Sequence, residues 1–157
     1  MKKSNYLMPN KMKTLGVILL IIGVLLVFLK HQFNYKPEFL NLKVFAIYSF
    51  YIEAKTFTLI THQMIEDLGG ILLIAGLFMV AFSKEKTEIE GMDLLRIKAF
   101  FITVWFNLFY LLFAILFFFG FGFVAALIGF AIGWLLVYII SFRWMLYKSK
   151  SGLAAQG

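Results

Sequence analysis

Apolar residues fall into four long blocks along this chain, and polar residues cluster between them. The blocks are Thr14–Leu29 (TLGVILLIIGVLLVFL), Leu68–Phe82, Ala99–Gly120 and Gly122–Phe142. Uncharged apolar runs of this kind predict membrane-spanning helices. The first two blocks are shorter than the roughly 20 residues a typical span needs, so interfacial neighbours or local thinning of the bilayer must complete them. Only "FGFGF" separates the last two, which predicts a tight antiparallel helical hairpin.

The segment 31–67 between the first two blocks is too long for a plain loop. It contains "KPEFLNLKVFAIYSFYI", with Pro37 at a first helical position followed by Glu38. The apolar run Val44–Ile52 is too short to span as a helix. Phe57, Ile60, Met64, Ile65 and Leu68 recur at helical spacing, with Thr58, Thr61, His62, Gln63, Glu66 and Asp67 on the other face. This spacing predicts an external amphipathic helix over Phe57–Asp67, running into the second span and lying on the outer membrane surface or capping the bundle. The expected fold class is an all-α membrane protein, a four-transmembrane-helix bundle in one integral membrane domain, 1–157. A connector spans 83–98 and a flexible tail 149–157.

Composition supports a membrane setting. The chain is 62% hydrophobic with 20 phenylalanines, against 45–50% apolar residues in an ordinary soluble domain. Its mean hydropathy is +0.91. With no cysteine, disulfides and thiolate chemistry are excluded. The net charge of +7 is better assigned to membrane sides than to nucleic acid, which is not an expected partner. Lys2, Lys3, Lys11, Lys13, then Lys84, Lys86, Arg96, Lys98, then Arg143, Lys148 and Lys150 are 11 of the 15 cations. With four spans all three groups lie on one side, so both termini are expected in the cytoplasm. "VFLKHQF" after the first block lacks the small residues of a cleavage site, which makes that block an uncleaved signal anchor.

Candidate chemistry is sparse. Gly122, Ala126, Gly129 and Gly133 fall at i, i+4, i+7 and i+11, a small-residue seam containing a GxxxG. Gly16 and Gly23, and Gly69 and Gly76, repeat heptad spacing on the first two spans. Such seams allow close backbone approach in lipid, within one chain or between copies. A larger side chain at Gly133 is expected to push helices apart. Asn107 lies eight residues into the third span, roughly 12 Å deep at 1.5 Å per residue. Its readings are a structural bond to the Trp134 indole or an exposed carbonyl, or a position on a conducting path. His62 and Glu66, at i and i+4, are weak metal candidates, because zinc needs three or four ligands. Asp67 suits a helix start. Glu53, Glu85, Glu88, Glu90 and Asp93 read as solvated carboxylates, with Lys86 and Glu90 an ordinary helical pair. No nucleotide-binding glycine loop, G-x-S-x-G or H-E-x-x-H occurs. No catalytic residue and no cofactor is expected.

The stretch "IEDLGGILLIAGLFMVAFSKEKTEIEGMDLLRIKAF" resembles a group of small uncharacterised inner-membrane proteins of Bacteroidota-type bacteria. The shared features are an acidic pair opening a glycine-containing span, "AFSKEK", an acidic linker and an "LRIKA"-like start to the next span. The resemblance implies four spans in a bacterial inner membrane and no particular activity. The expected function is that of a non-enzymatic membrane protein acting through helix–helix or protein–protein contacts, as accessory subunit, scaffold or sensor-like partner. Its expected partners are the lipid bilayer and a homo-oligomer or larger membrane complex. The alternatives are a component of a small transporter or channel, and a membrane enzyme acting on a lipid-linked substrate.

Overall fold

The computed structural model describes residues 7–50, 54–86, 88 and 91–154. They form α1 (Asn10–Phe33), one 3₁₀ turn (Glu38–Leu40), β1 (Asn41–Phe50), β2 (Ala54–Gln63), α2 (Ile65–Ala81), α3 (Met92–Phe117) and α4 (Phe121–Ala154). Lys2, Lys3, Ile52, Glu53, Glu90 and the end of the tail lie outside the described residues. Two compact units divide the chain: Met1–Val17 with Leu77–Gly157, and Ile18–Gly76.

The four-span, all-α expectation is corrected on two counts. First, three helices among the described residues are long and apolar enough to cross a membrane: α1, α3 and Phe121–Ser149 of α4. They give the chain the make-up of a multi-pass membrane protein. The second apolar block is not among them. Its helix α2 has 17 residues, which cover about 26 Å at 1.5 Å each, short of a hydrocarbon core about 30 Å thick. Charge limits it at one end, where Glu66 and Asp67 occupy the first turn. At the other end Ser83 follows the helix and its hydroxyl donates to the Met79 carbonyl.

Second, the segment expected to form an external amphipathic helix is a β-hairpin. β1 and β2 pair antiparallel from Asn41↔Gln63 to Phe50↔Ala54. "AKTFTLITHQ" fits helical spacing at a few positions, yet it also alternates with period two and is rich in Thr, Ile and Phe. Such residues favour a pleated surface, and pairing with the aromatic and branched residues of "NLKVFAIYSF" satisfies the backbone of both strands. Only after Gln63 does the chain turn helical.

The other helices outrun their apolar blocks. α1 includes Lys13 and Lys30, whose side chains are largely buried, Lys13 ion-paired with Glu85 and the Lys30 ammonium 3.9 Å from Glu66. α3 starts at Met92 after Gly91, whose φ of +81° needs glycine. This early start places Arg96 on the helix. α4 continues to Ala154, so most of the expected flexible tail is helical. The turn between α3 and α4 is closed at Gly120, φ +58°, and the Phe123 amide donates to its carbonyl (3.1 Å).

In the larger unit Ala81, Met92, Ala99, Tyr138, Phe142 and Leu146 form the buried core. Phe82, Tyr138 and Phe142 are stacked through it at 5.7 and 6.3 Å between ring centres. In the smaller unit α1 and α2 run antiparallel. Gly23 lies against Gly69 and Leu73, and Val27 against Gly69.

Candidate functional site

The charged connector after α2 draws several segments of the larger unit to one polar end. The Met8 amide donates to the Phe82 carbonyl and the Lys84 amide to the Met8 carbonyl, both at 2.9 Å. The Asn10 side-chain amide donates to the Lys84 carbonyl at 2.7 Å. Glu85 is ion-paired with Lys13 of α1, and its other oxygen lies 3.9 Å from Arg143 of α4. Glu88 accepts from both terminal nitrogens of Arg96, at 2.7 and 3.2 Å, and Asp93 accepts from one of them at 2.8 Å. The Arg96 guanidinium lies 5.5 Å from the centre of the Phe142 ring.

Arg96 is buried at 9% exposure, and two-point pairing is the arrangement a planar guanidinium suits best. Hydrogen bonding from Arg96 holds the Glu88 carboxyl below the ordinary glutamate range, against a partial desolvation that acts the other way. Sequence spacing had left these carboxylates as a solvated set. The signal that could have found them is residue type. The chain has two arginines among its 15 cations, and both join this network. Acids and bases satisfy one another, so the arrangement braces helix ends.

The hairpin presents two unlike faces. Val44, Ala46, Thr58, Ile60 and His62 are half-buried on one. On the other, Phe45, Ile47, Phe57 and Leu59 are 61, 66, 72 and 68% exposed. The Phe45 and Phe57 rings stand 6.3 Å apart. Phe57 has φ +51°, a conformation that costs a bulky residue roughly 1–2 kcal/mol. The hairpin root is fixed by the Met64 amide to the Leu40 carbonyl (3.0 Å) and the Gln63 side chain to the Pro37 carbonyl (3.1 Å).

The structure separates the metal candidates. His62 is on β2, and its Nε2 lies 2.7 Å from Asp67 Oδ2. Glu66 is on α2, 3.9 Å from the Lys30 ammonium. Among the described residues no three His, Asp or Glu side chains converge as metal ligands.

Asn107 is buried at 2% exposure, but its amide donates to the Thr103 carbonyl at 2.9 Å, one turn back on its own helix. The expected partners on another helix are not used. Thr103 does the same with Ala99, at 2.8 Å.

The glycine seams diverge. A Cβ at Gly23 would stand 2.9 Å from both the Gly69 carbonyl oxygen and the Leu73 amide, and one at Gly69 would stand 2.8 Å from the end of Val27. Gly16 and Gly76 are buried. On α4, a Cβ at Gly133 would meet nothing within 4 Å, and one at Gly122 only Phe118 at 3.7 Å. Gly129 makes room for the Tyr110 hydroxyl, 3.0 Å from its would-be Cβ, and that hydroxyl donates to the carbonyl of buried Ala126 at 3.1 Å. The middle of the seam therefore receives a side chain from α3, not a helix backbone.

No family model, curated protein or solved structure matches this chain.

Proposed function

We propose that this protein is a multi-pass membrane scaffold or accessory subunit that works through contact with another protein. The observation that carries this reading is the hairpin face formed by Phe45, Ile47, Phe57 and Leu59. Four large apolar residues side by side on one face of a two-stranded sheet form a surface that water disfavours and a partner can cover. An isolated hairpin is at best marginally stable, so coverage also stabilises it. Among the described residues no further strand pairs with the outer edge of either strand, and a partner's strand can add there.

The membrane is proposed to be a bacterial inner membrane, with the polar end where Lys13, Glu85 and Arg143 meet on its cytoplasmic side. In support, the N-terminal segment, the connector and Arg143 meet at one end of the larger unit, and the cations concentrate in these segments. Against the transporter reading stands the Asn107 amide, which is occupied within its own helix.

The chain has no cysteine, so single cysteines at Phe45 and Leu59 can be crosslinked in intact native membranes. A specific adduct is expected from both, absent from a cysteine at half-buried Thr58. Mass identifies it as a second copy or a different protein. Labels at 45 and 59 that form no protein adduct would defeat the contact reading.

A further inference from the structure

The two ends of the α3–α4 hairpin differ in kind. At one end Lys98, Arg143, Trp144 and Tyr147 supply charge and the aromatic residues that favour a membrane–water interface. At the other end the turn, 117–123, reads "FFFGFGF". We propose that this turn is a lipid-binding surface. It rests among the acyl chains at the inner edge of the leaflet opposite the charged end, and the chain does not emerge into water there.

Length decides where the turn comes to rest. Between Lys98 and Arg143 no residue is charged. The uncharged part of α3, Ala99–Phe117, has 19 residues. It rises about 28 Å at 1.5 Å per residue, against a hydrocarbon core about 30 Å thick. With Lys98 at the headgroup level, α3 is used up as it reaches the far boundary. Only Phe118, Phe119 and Gly120 separate it from α4, so no chain is left over to project into water.

Side-chain chemistry points the same way. Every side chain from Leu111 to Ile132 is apolar. The Asn, Asp and Ser that turns commonly use are absent from it. Phe119 and Phe121 at the tip are 78 and 94% exposed, a presentation that water disfavours and acyl chains accept. They continue the exposed apolar surface of Phe117 on α3 and Val124 on α4. A cavity of about 250 Å³, lined by Ile115, Phe118, Phe119, Gly120 and Phe123, opens outward at the turn and offers acyl methylenes an apolar seat.

The backbone is adapted to the same place. Lipid offers no water to bare amide and carbonyl groups. The Phe118 amide donates to the Ala114 carbonyl at 3.0 Å, and the Gly120 carbonyl accepts from the amides of Phe123 and Val124 at 3.1 and 3.4 Å. The turn thereby closes hydrogen bonds within itself that a loop in water would leave to solvent.

The test uses the full chain, free of native cysteine, reconstituted in phosphatidylcholine vesicles. Nitroxide labels are placed one at a time through Phe119→Cys and Phe121→Cys. Leu108→Cys serves as the reference for the membrane interior and Tyr147→Cys as the reference for the polar end. Power saturation compares collisions with oxygen, which partitions into lipid, and with a water-soluble nickel chelate. Labels at 119 and 121 should collide several-fold more with oxygen than with nickel, as at 108 and opposite to 147. Both rings are exposed in the structure, so neither replacement disturbs packing. Nickel collisions matching those at 147 would put the turn in water and overturn the proposal. Labels shielded from both reagents would show that protein covers the turn, and would overturn the lipid assignment.

Discussion

The α1–α2 contact and the α3–α4 hairpin solve the same problem in opposite ways. Lipid supplies no hydrophobic drive between helices, so each pair must gain from close packing and hydrogen bonds. α1 and α2 bring backbone to backbone, with Gly23 and Gly69 leaving no room for a methyl group. α3 and α4 keep more distance and fill it with side chains. Tyr110 reaches the Ala126 carbonyl, Tyr110 stacks on Phe130, Phe100 meets Trp134 edge-on, and Arg96 lies over Phe142. The GxxxG belongs to the second pair, where it is not used for backbone contact. A small-residue motif therefore marks permission for close approach, and the partner's side chains decide whether approach occurs.

The largest effect expected from this difference is one of sign. Gly23→Ala should destabilise the protein by about 1–3 kcal/mol, the range for overpacking, because two of the three atoms it meets are backbone and cannot rotate away. Gly133→Ala meets nothing and should be neutral or stabilising by up to about 1 kcal/mol, from the better helix propensity of alanine. Gly69→Ala should fall between them, because its nearest contact is a Val27 methyl group and the backbone atoms it meets stand at 3.4 Å. Thermal unfolding in detergent of the three variants checks the order. A Gly133→Ala variant less stable than Gly23→Ala would erase the distinction between the two contacts.

How much of this was legible follows from what periodicity carries. The apolar blocks showed where α1, α3 and α4 lie, because continuous uncharged runs have few other solutions. They could not show that α2 stops at 17 residues, since apolar residues alone do not say where capping and charge end a helix. The hairpin was misread because Phe57, Ile60 and Met64 satisfy a helical spacing while Thr56, Thr58 and Ile60 satisfy an alternating one. The deciding term is the pairing of β2 with β1, a contact between segments that no local window contains. Arg96 was visible as a residue type, but its bonds to Glu88 and Asp93 depended on α3 beginning seven residues before its apolar block. Asn107 is buried, and its partner was not legible, because a one-turn return bond on the same helix competes with any neighbour.

The next effect tests the side-chain contact at its charged end. Arg96→Met removes the cation over Phe142 and leaves Glu88 and Asp93 without their partner. A fully buried pair broken this way costs 3–5 kcal/mol, but both acids here are largely exposed, so about 1–2 kcal/mol is expected. Acidity offers the same test without mutation. Glu88 has its carboxyl held down in the folded protein. Its contribution is therefore complete above the unfolded glutamate value, about 4.3, and is lost as pH falls through the lower folded value. Unfolding temperature should drop between neutral pH and pH 3, and Glu88→Gln should shrink that drop. An unchanged drop in the variant would remove Glu88 from the brace.

The smallest effects are expected from half-buried Tyr110 and buried Asn107 of α3, and their order separates the two styles of packing within one hairpin. Tyr110→Phe removes a hydroxyl bonded across helices to Ala126, and interhelical hydrogen bonds in membranes average about 0.6 kcal/mol. Asn107→Leu removes a bond that returns to its own helix, so no contact between helices is lost and the leucine must be fitted into a buried site. If side-chain reach holds α3 to α4, Tyr110→Phe should weaken association of the hairpin as well as overall stability. Asn107→Leu should alter stability by about as little while leaving association intact. Crosslinking between cysteines placed at exposed Phe113 and Val124, in variant and parent, follows the association directly. A loss of crosslinking in Asn107→Leu but not in Tyr110→Phe would show that the buried asparagine, and not the tyrosine, sets the spacing of the two helices.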